Sequence, residues 1–124
     1  MTKLSRILLM GGLVLSAATG CSSGSKASNL KVGLILLHPA ASSTYDKNFY
    51  EAFKAAQEKL GFQAIVKENI GEDAECQTTA EAMADQGCNI VIADSFGHED
   101  FMIAAARNHP DTFFCHATGT KAAS

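Results

Sequence analysis

Apolar residues follow two alternating rhythms along this chain. Short continuous runs occur at Lys31–Leu37, Phe62–Val66, Ile90–Ala93 and Thr112–Cys115, as expected for strands covered on both faces of a parallel sheet. Between them the spacing becomes helical. Phe49, Phe53, Ala56 and Leu60 recur at intervals of four, three and four, one apolar stripe on a helix. Ser43 and Asp46 are placed to cap that helix and Gly61 to close it. A second helix is predicted from Asp73 to Gln86, with Thr79, Met83 and several alanines inside and Gly87 at its end. A third runs from about His98 to Asn108. Glu99 and Asp100 lie in its first turn, Phe101, Met102, Ala104 and Ala105 form its apolar side, and Pro110 prevents continuation.

The order is therefore β-α-β-α-β-α-β. Strict alternation with short connections predicts an α/β fold: a parallel sheet of about four strands, right-handed crossovers and helices on both faces. After His116 only Ala117–Ser124 remain, with no helix to follow the last strand, so the unit reads as the first part of a larger lobe spanning residues 30–120, with 121–124 as a tail.

The first twenty residues follow neither rhythm. Lys3 and Arg6 precede an apolar core, Ile7 to Ala18, short for a bilayer span but suited to a secretory signal at 1–20. Ala18-Thr19-Gly20 leads directly into Cys21, which resembles a bacterial lipobox with Cys21 as the lipidated mature N-terminus. Residues 21–29 are small and polar, a composition suited to a flexible tether between lipid anchor and domain. The expected location is the extracytoplasmic face of the cell membrane.

Composition removes several function classes. The net charge is −3 and no Lys/Arg run occurs, which argues against a nucleic-acid partner. Neither a P-loop nor a GxGxxG is present, which disfavours phosphate-centred nucleotide chemistry, and no cofactor is implied. Cys76, Cys88 and Cys115 are expected to be buried free thiols, because Cys76 and Cys88 are expected to flank a helix too long for a disulfide to bridge.

Candidate chemistry gathers where parallel strands end, the usual ligand edge of an open α/β sheet. His38 to Asp46 follow the first strand, Glu68 and Asn69 the second, Asp94 to His98 the third, and His116 and Thr118 the fourth. Asp46 and Asp94 suit either helix capping or ligand contact. Phe49 suits core cover or a site wall. Phe96, between Ser95 and Gly97 in a polar turn, suits either core packing or stacking on a planar ligand. One alternative is a metal-binding or sensory domain in which His38, His98 and His116 converge. Catalysis is not expected: Cys115 and His116 are neighbours in a strand and point to opposite faces.

Three segments carry a family resemblance: KVGLIL, TYDKNFYEAFKAA and ADQGCNIVIADSFGHEDFMIAAARNHPDTFFCHATG. Together they resemble the basic membrane protein family of lipoproteins, the substrate-binding components of ABC importers that include purine nucleoside receptors. The resemblance implies a partial Rossmann-like lobe of a type I periplasmic binding protein. It also implies a nucleoside-like solute and an ABC permease as partners, with membrane attachment through Cys21. Asp46 and Phe49 match the family's DKSFN-like segment, with Tyr50 in place of an asparagine. Asp94-Ser95-Phe96-Gly97 corresponds to the turn after the third strand, and His116 stands where an aspartate is common. The ligand contacts so implied are Asp46, Phe49, Asp94 and Phe96, with His38 and His116 beside them. A piece lacking the second lobe is not expected to hold ligand tightly alone.

Overall fold

A computed structural model describes residues 29–121. The signal segment, Cys21, the tether as far as Ser28 and the last three residues of the tail lie outside the described residues. Four strands alternate with three helices: β1 (Lys31–Ile35), α1 (Thr44–Leu60), β2 (Gln63–Lys67), α2 (Ala74–Asp85), β3 (Ile90–Ala93), α3 (Glu99–Asn108) and β4 (Phe113–His116). A short 3-10 turn, Phe96–His98, precedes α3. The strands form one parallel sheet in the order β2-β1-β3-β4, the α/β architecture that the alternation predicts. β1 ends at Ile35 rather than Leu37, because the Leu37 amide turns to the Asp94 carboxylate instead of a neighbouring strand.

The helix boundaries follow from local chemistry. The Ser43 side chain accepts from the Asp46 amide at the start of α1, and Gly61, at φ +71°, closes the helix by donating to the Gln57 carbonyl. The left-handed conformation at that stop favours glycine. Asp73 caps α2 by accepting from Glu75 N. Leu60 continues the sequence stripe of α1 yet is 60% exposed and is not among the α1 residues packed on the core.

Two apolar layers sandwich the sheet. On one face Val32, Leu34 and Leu36 pack with Phe53 of α1 and with Phe62. On the other, Ile35, Val91 and Ala93 pack with Cys76, Ala80 and Met83 from α2 and Met102 and Ala105 from α3. Gly33 faces Met83, and a Cβ there would lie 2.6 Å from the Met83 sulfur, so glycine lets α2 approach β1 closely.

Cys76 lies within α2 rather than before it, and Cys88 shares its core layer. All three described cysteines are free, but Cys115 is exposed rather than buried. Its strand is the reason: β4 is an edge strand, and no β4 residue belongs to the layer beneath α1. Phe113, on the same side as Cys115, is 75% exposed, while Phe114 points the other way and packs against the α2–α3 layer.

Candidate functional site

All four strands point the same way, so their carboxyl ends share one edge, and side-chain carboxylates tie the loops there to one another. Leaving β1, Leu37 N donates to Asp94 Oδ1 at 3.0 Å, His38 N to Asp46 Oδ1 at 2.8 Å and Ala40 N to Glu68 Oε1 at 3.1 Å. After β3, Ser95 Oγ and Gly97 N both donate to Glu72 Oε1. After β4, Thr120 N and Lys121 N donate to Glu99 Oε1 at 2.7 and 2.6 Å. Loop amides have no strand partner, and a carboxylate accepts them through charge-assisted bonds roughly twice as strong as neutral ones.

Asp94 does not cap a helix. Its Oδ1 serves β1 across the sheet, and neither the 3-10 turn nor α3 has a side-chain cap. Asp94 Oδ2 is buried with no donor among the described residues. Asp46 does not cap α1 with its carboxylate either. Oδ1 and Oδ2 engage the His38 amide and the His38 ring, the latter at 3.2 Å. Both aspartates are fully enclosed and act on each other. Burial, joined by the hydrogen bond and negative charge of Asp46, raises Asp94 to about 7 despite the Leu37 amide. Burial opposes ionisation of Asp46 too, but hydrogen bonds from Ser43, His38 and Asp94 overcome it and hold Asp46 at about 2. Below about pH 7 the pair therefore carries one negative charge, on Asp46, with the proton on Asp94.

The other expected residues are placed unequally. Phe96 is 58% exposed, held out between Ser95 and Gly97. Phe49 is half-buried against the α1-side core, its ring 5.2 Å from that of Tyr45. His38 is exposed beside Asp46. His116 is not part of this group; it pairs with Glu99 at 3.5 Å, at the β4 end of the edge. A groove of about 510 Å³ opens there, lined by Glu99, Met102, Arg107, Phe114, His116 and Lys121. Of the six expected ligand residues, only His116 lines it.

The metal alternative is not met. His98 is fully buried, with Nε2 3.0 Å from the Ile70 carbonyl, while His38 and His116 each face a different carboxylate. Among the described residues no group of three His, Cys, Asp or Glu side chains is placed to hold a metal ion.

Two contributors were not legible in the sequence. Glu72 reaches the β3 turn because α2 crosses behind β1, carrying the connection from β2 to the ends of β1 and β3. Tyr45 donates its hydroxyl to the Asp94 carbonyl at 3.0 Å. Neither position carries a local signal, since each partner is remote in sequence.

The family described as "ABC transporter substrate-binding protein PnrA-like" matches residues 30–124. A purine-binding protein of Brucella abortus is 32% identical over 96 residues, covering 76% of this chain and 27% of that protein. The chain thus spans about a quarter of the length of this curated relative. Among solved structures, an ABC transporter solute-binding protein from Conexibacter woesei superposes with a TM-score of 0.63 at 16% identity, covering 68% of this chain and 28% of that one. A transcriptional activator of the comK gene from Bacillus halodurans gives 0.66 at 15% identity, covering 75% and 31%. At such identities these two likenesses concern the fold alone.

Proposed function

Because the chain belongs to the PnrA-like family of ABC transporter substrate-binding proteins, we propose that it forms part of the ligand-capturing lobe of a purine nucleoside receptor. In this reading the lobe is lipid-anchored through Cys21 on the extracytoplasmic face and delivers its solute to an ABC permease. The observation that carries the ligand reading is the exposed Phe96 ring, presented at the strand-end edge on the turn that follows the enclosed Asp94. A planar heterocycle offers a face to such a ring and polar edge groups to the loops around it. The 32% identity to a purine-binding protein supports the same ligand class.

The assigned roles are stacking by Phe96, apolar contact by the half-buried Phe49 and polar contact by the exposed His38, while the enclosed Asp46 and Asp94 hold the loops that carry them. His116 would meet ligand only at the far end of the edge. The reading requires no chemical step. Since the chain covers about a quarter of its relative, binding by this stretch alone is expected to be weak.

Amide-resolved NMR during titration with adenosine, guanosine and inosine to millimolar concentration tests the ligand class. Shifts concentrated at Leu37, His38, Phe96 and Gly97 are expected, and silence at these amides with all three nucleosides refutes it. Detergent phase partition of the expressed protein against its Cys21→Ser variant tests the anchor, with only the parent protein entering the detergent phase.

A further inference from the structure

We propose that Glu72 is the positioning residue of this site: reaching across from the β2–α2 connection, its carboxylate clamps both sides of Phe96 and fixes the direction in which that ring is presented. The proposal rests on the reading above that Phe96 stacks on ligand, and it identifies what holds the ring in place.

A phenyl ring that is 58% exposed has too few packing neighbours to set its own orientation. The backbone beneath it must do so, and Glu72 controls that backbone. Its Oε1 accepts the Ser95 hydroxyl and the Gly97 amide, the latter at 3.0 Å. The two donors flank Phe96 directly. The Ser95 hydroxyl points to Glu72 and makes no side-chain cap to the 3-10 turn, so the clamp acts beside the two backbone bonds of the turn, His98 N to the Ser95 carbonyl and Glu99 N to the Phe96 carbonyl. Glu72 approaches so closely that a Cβ at position 97 would collide with its carboxylate; glycine at 97 and glutamate at 72 therefore belong to one device.

The clamp is itself anchored. Two residues before Glu72, Ile70 donates to the Leu36 carbonyl at 3.1 Å, and its own carbonyl lies 3.0 Å from His98 Nε2. One residue after, Asp73 caps α2. Asn69, at φ +60°, makes the sharp turn that brings this segment back over the strand ends. Glu72 is also held ionised, chiefly by the Ser95 hydrogen bond, which together with the Gly97 amide and the nearby His98 and His38 outweighs the cost of burial. Its two bonds to the turn are charge-assisted for that reason.

The chain contains no tryptophan, so Phe96→Trp installs a single indole at the position in question. In that background Glu72→Ala is expected to enlarge the nanosecond component of fluorescence anisotropy decay about twofold. Glu72→Gln, which keeps an acceptor of the same reach, should restore most of the order. Far-UV circular dichroism should be the same for all three. The Gly97 proton shift should titrate with Glu72, below the ordinary carboxylate range, and lose that titration in Glu72→Gln. With Phe96 intact, Glu72→Ala should weaken adenosine binding about tenfold and Glu72→Gln by less.

An indole equally ordered in Glu72→Ala overturns the proposal, as does a Gly97 amide indifferent to carboxylate titration. So does a loosened indole with undiminished adenosine binding. If the parent protein gives no shift with any nucleoside, the ligand reading fails and the stacking role with it; a loosened indole and a titrating Gly97 amide would then still show Glu72 to be the clamp of the turn.

Discussion

The substitution Asp94→Asn should remove most of the pH dependence of stability between about pH 5 and pH 8. The new amide side chain keeps an oxygen for the Leu37 amide and gains an N–H to offer Asp46, so it mimics the protonated aspartic acid without an ionisable proton. The folded value of Asp94, about 7, lies above its ordinary 3.8. A group raised in this way contributes stability that is complete below the unfolded value and is lost as pH rises toward the folded one. At about 1.4 kcal/mol per unit, the rise from pH 5 to 8 should cost the parent protein about 3 kcal/mol, a large share of the stability of a small domain. The variant should lose less than about 1 kcal/mol over the same interval. Urea unfolding followed by far-UV circular dichroism measures both. The difference between the curves isolates Asp94. Parallel curves would show that Asp94 is not raised in the folded state.

Other perturbations probe different layers. Phe53→Ala removes a buried ring that meets Phe62 edge-on at 5.3 Å and should cost about 3–5 kcal/mol, read as a lower urea midpoint at unchanged slope. Among Cys76, Cys88 and Cys115, only Cys115 should react rapidly with a thiol reagent in the native protein; burial pushes Cys76 to about 12 and raises Cys88, and denaturant should release both. Acid should loosen the strand-end loops. Asp46, Glu72 and Glu99 are all held below their ordinary values, so the stability they give is present above the unfolded carboxylate range and lost as pH falls through the folded one. Amide exchange at His38, Gly97 and Thr120 should therefore accelerate in acid before exchange in β1 does.

The elements and their order were already written in the residue pattern. Apolar runs at Lys31–Leu37 and Ile90–Ala93, the helical stripe through Phe49 and Phe53, and stops such as Gly61 are local signals, and their strict alternation leaves little choice but a parallel sheet with helices on both faces. That chemistry would gather at the strand ends was equally legible, because a parallel sheet places every carboxyl end on one edge. What each residue does there was decided by the packed chain. Asp46 and Asp94 each suit a cap or a ligand contact in the sequence, yet they come together from α1 and the end of β3 as a coupled pair, and no spacing rule relates positions so far apart in sequence. Exposure of Cys115 and Leu60 also escaped the pattern, since periodicity identifies an apolar face without saying how far the opposing layer extends. The widest gap concerns Glu72. Its meaning depends on α2 crossing behind β1, so only the folded chain brings its carboxylate to the two sides of Phe96.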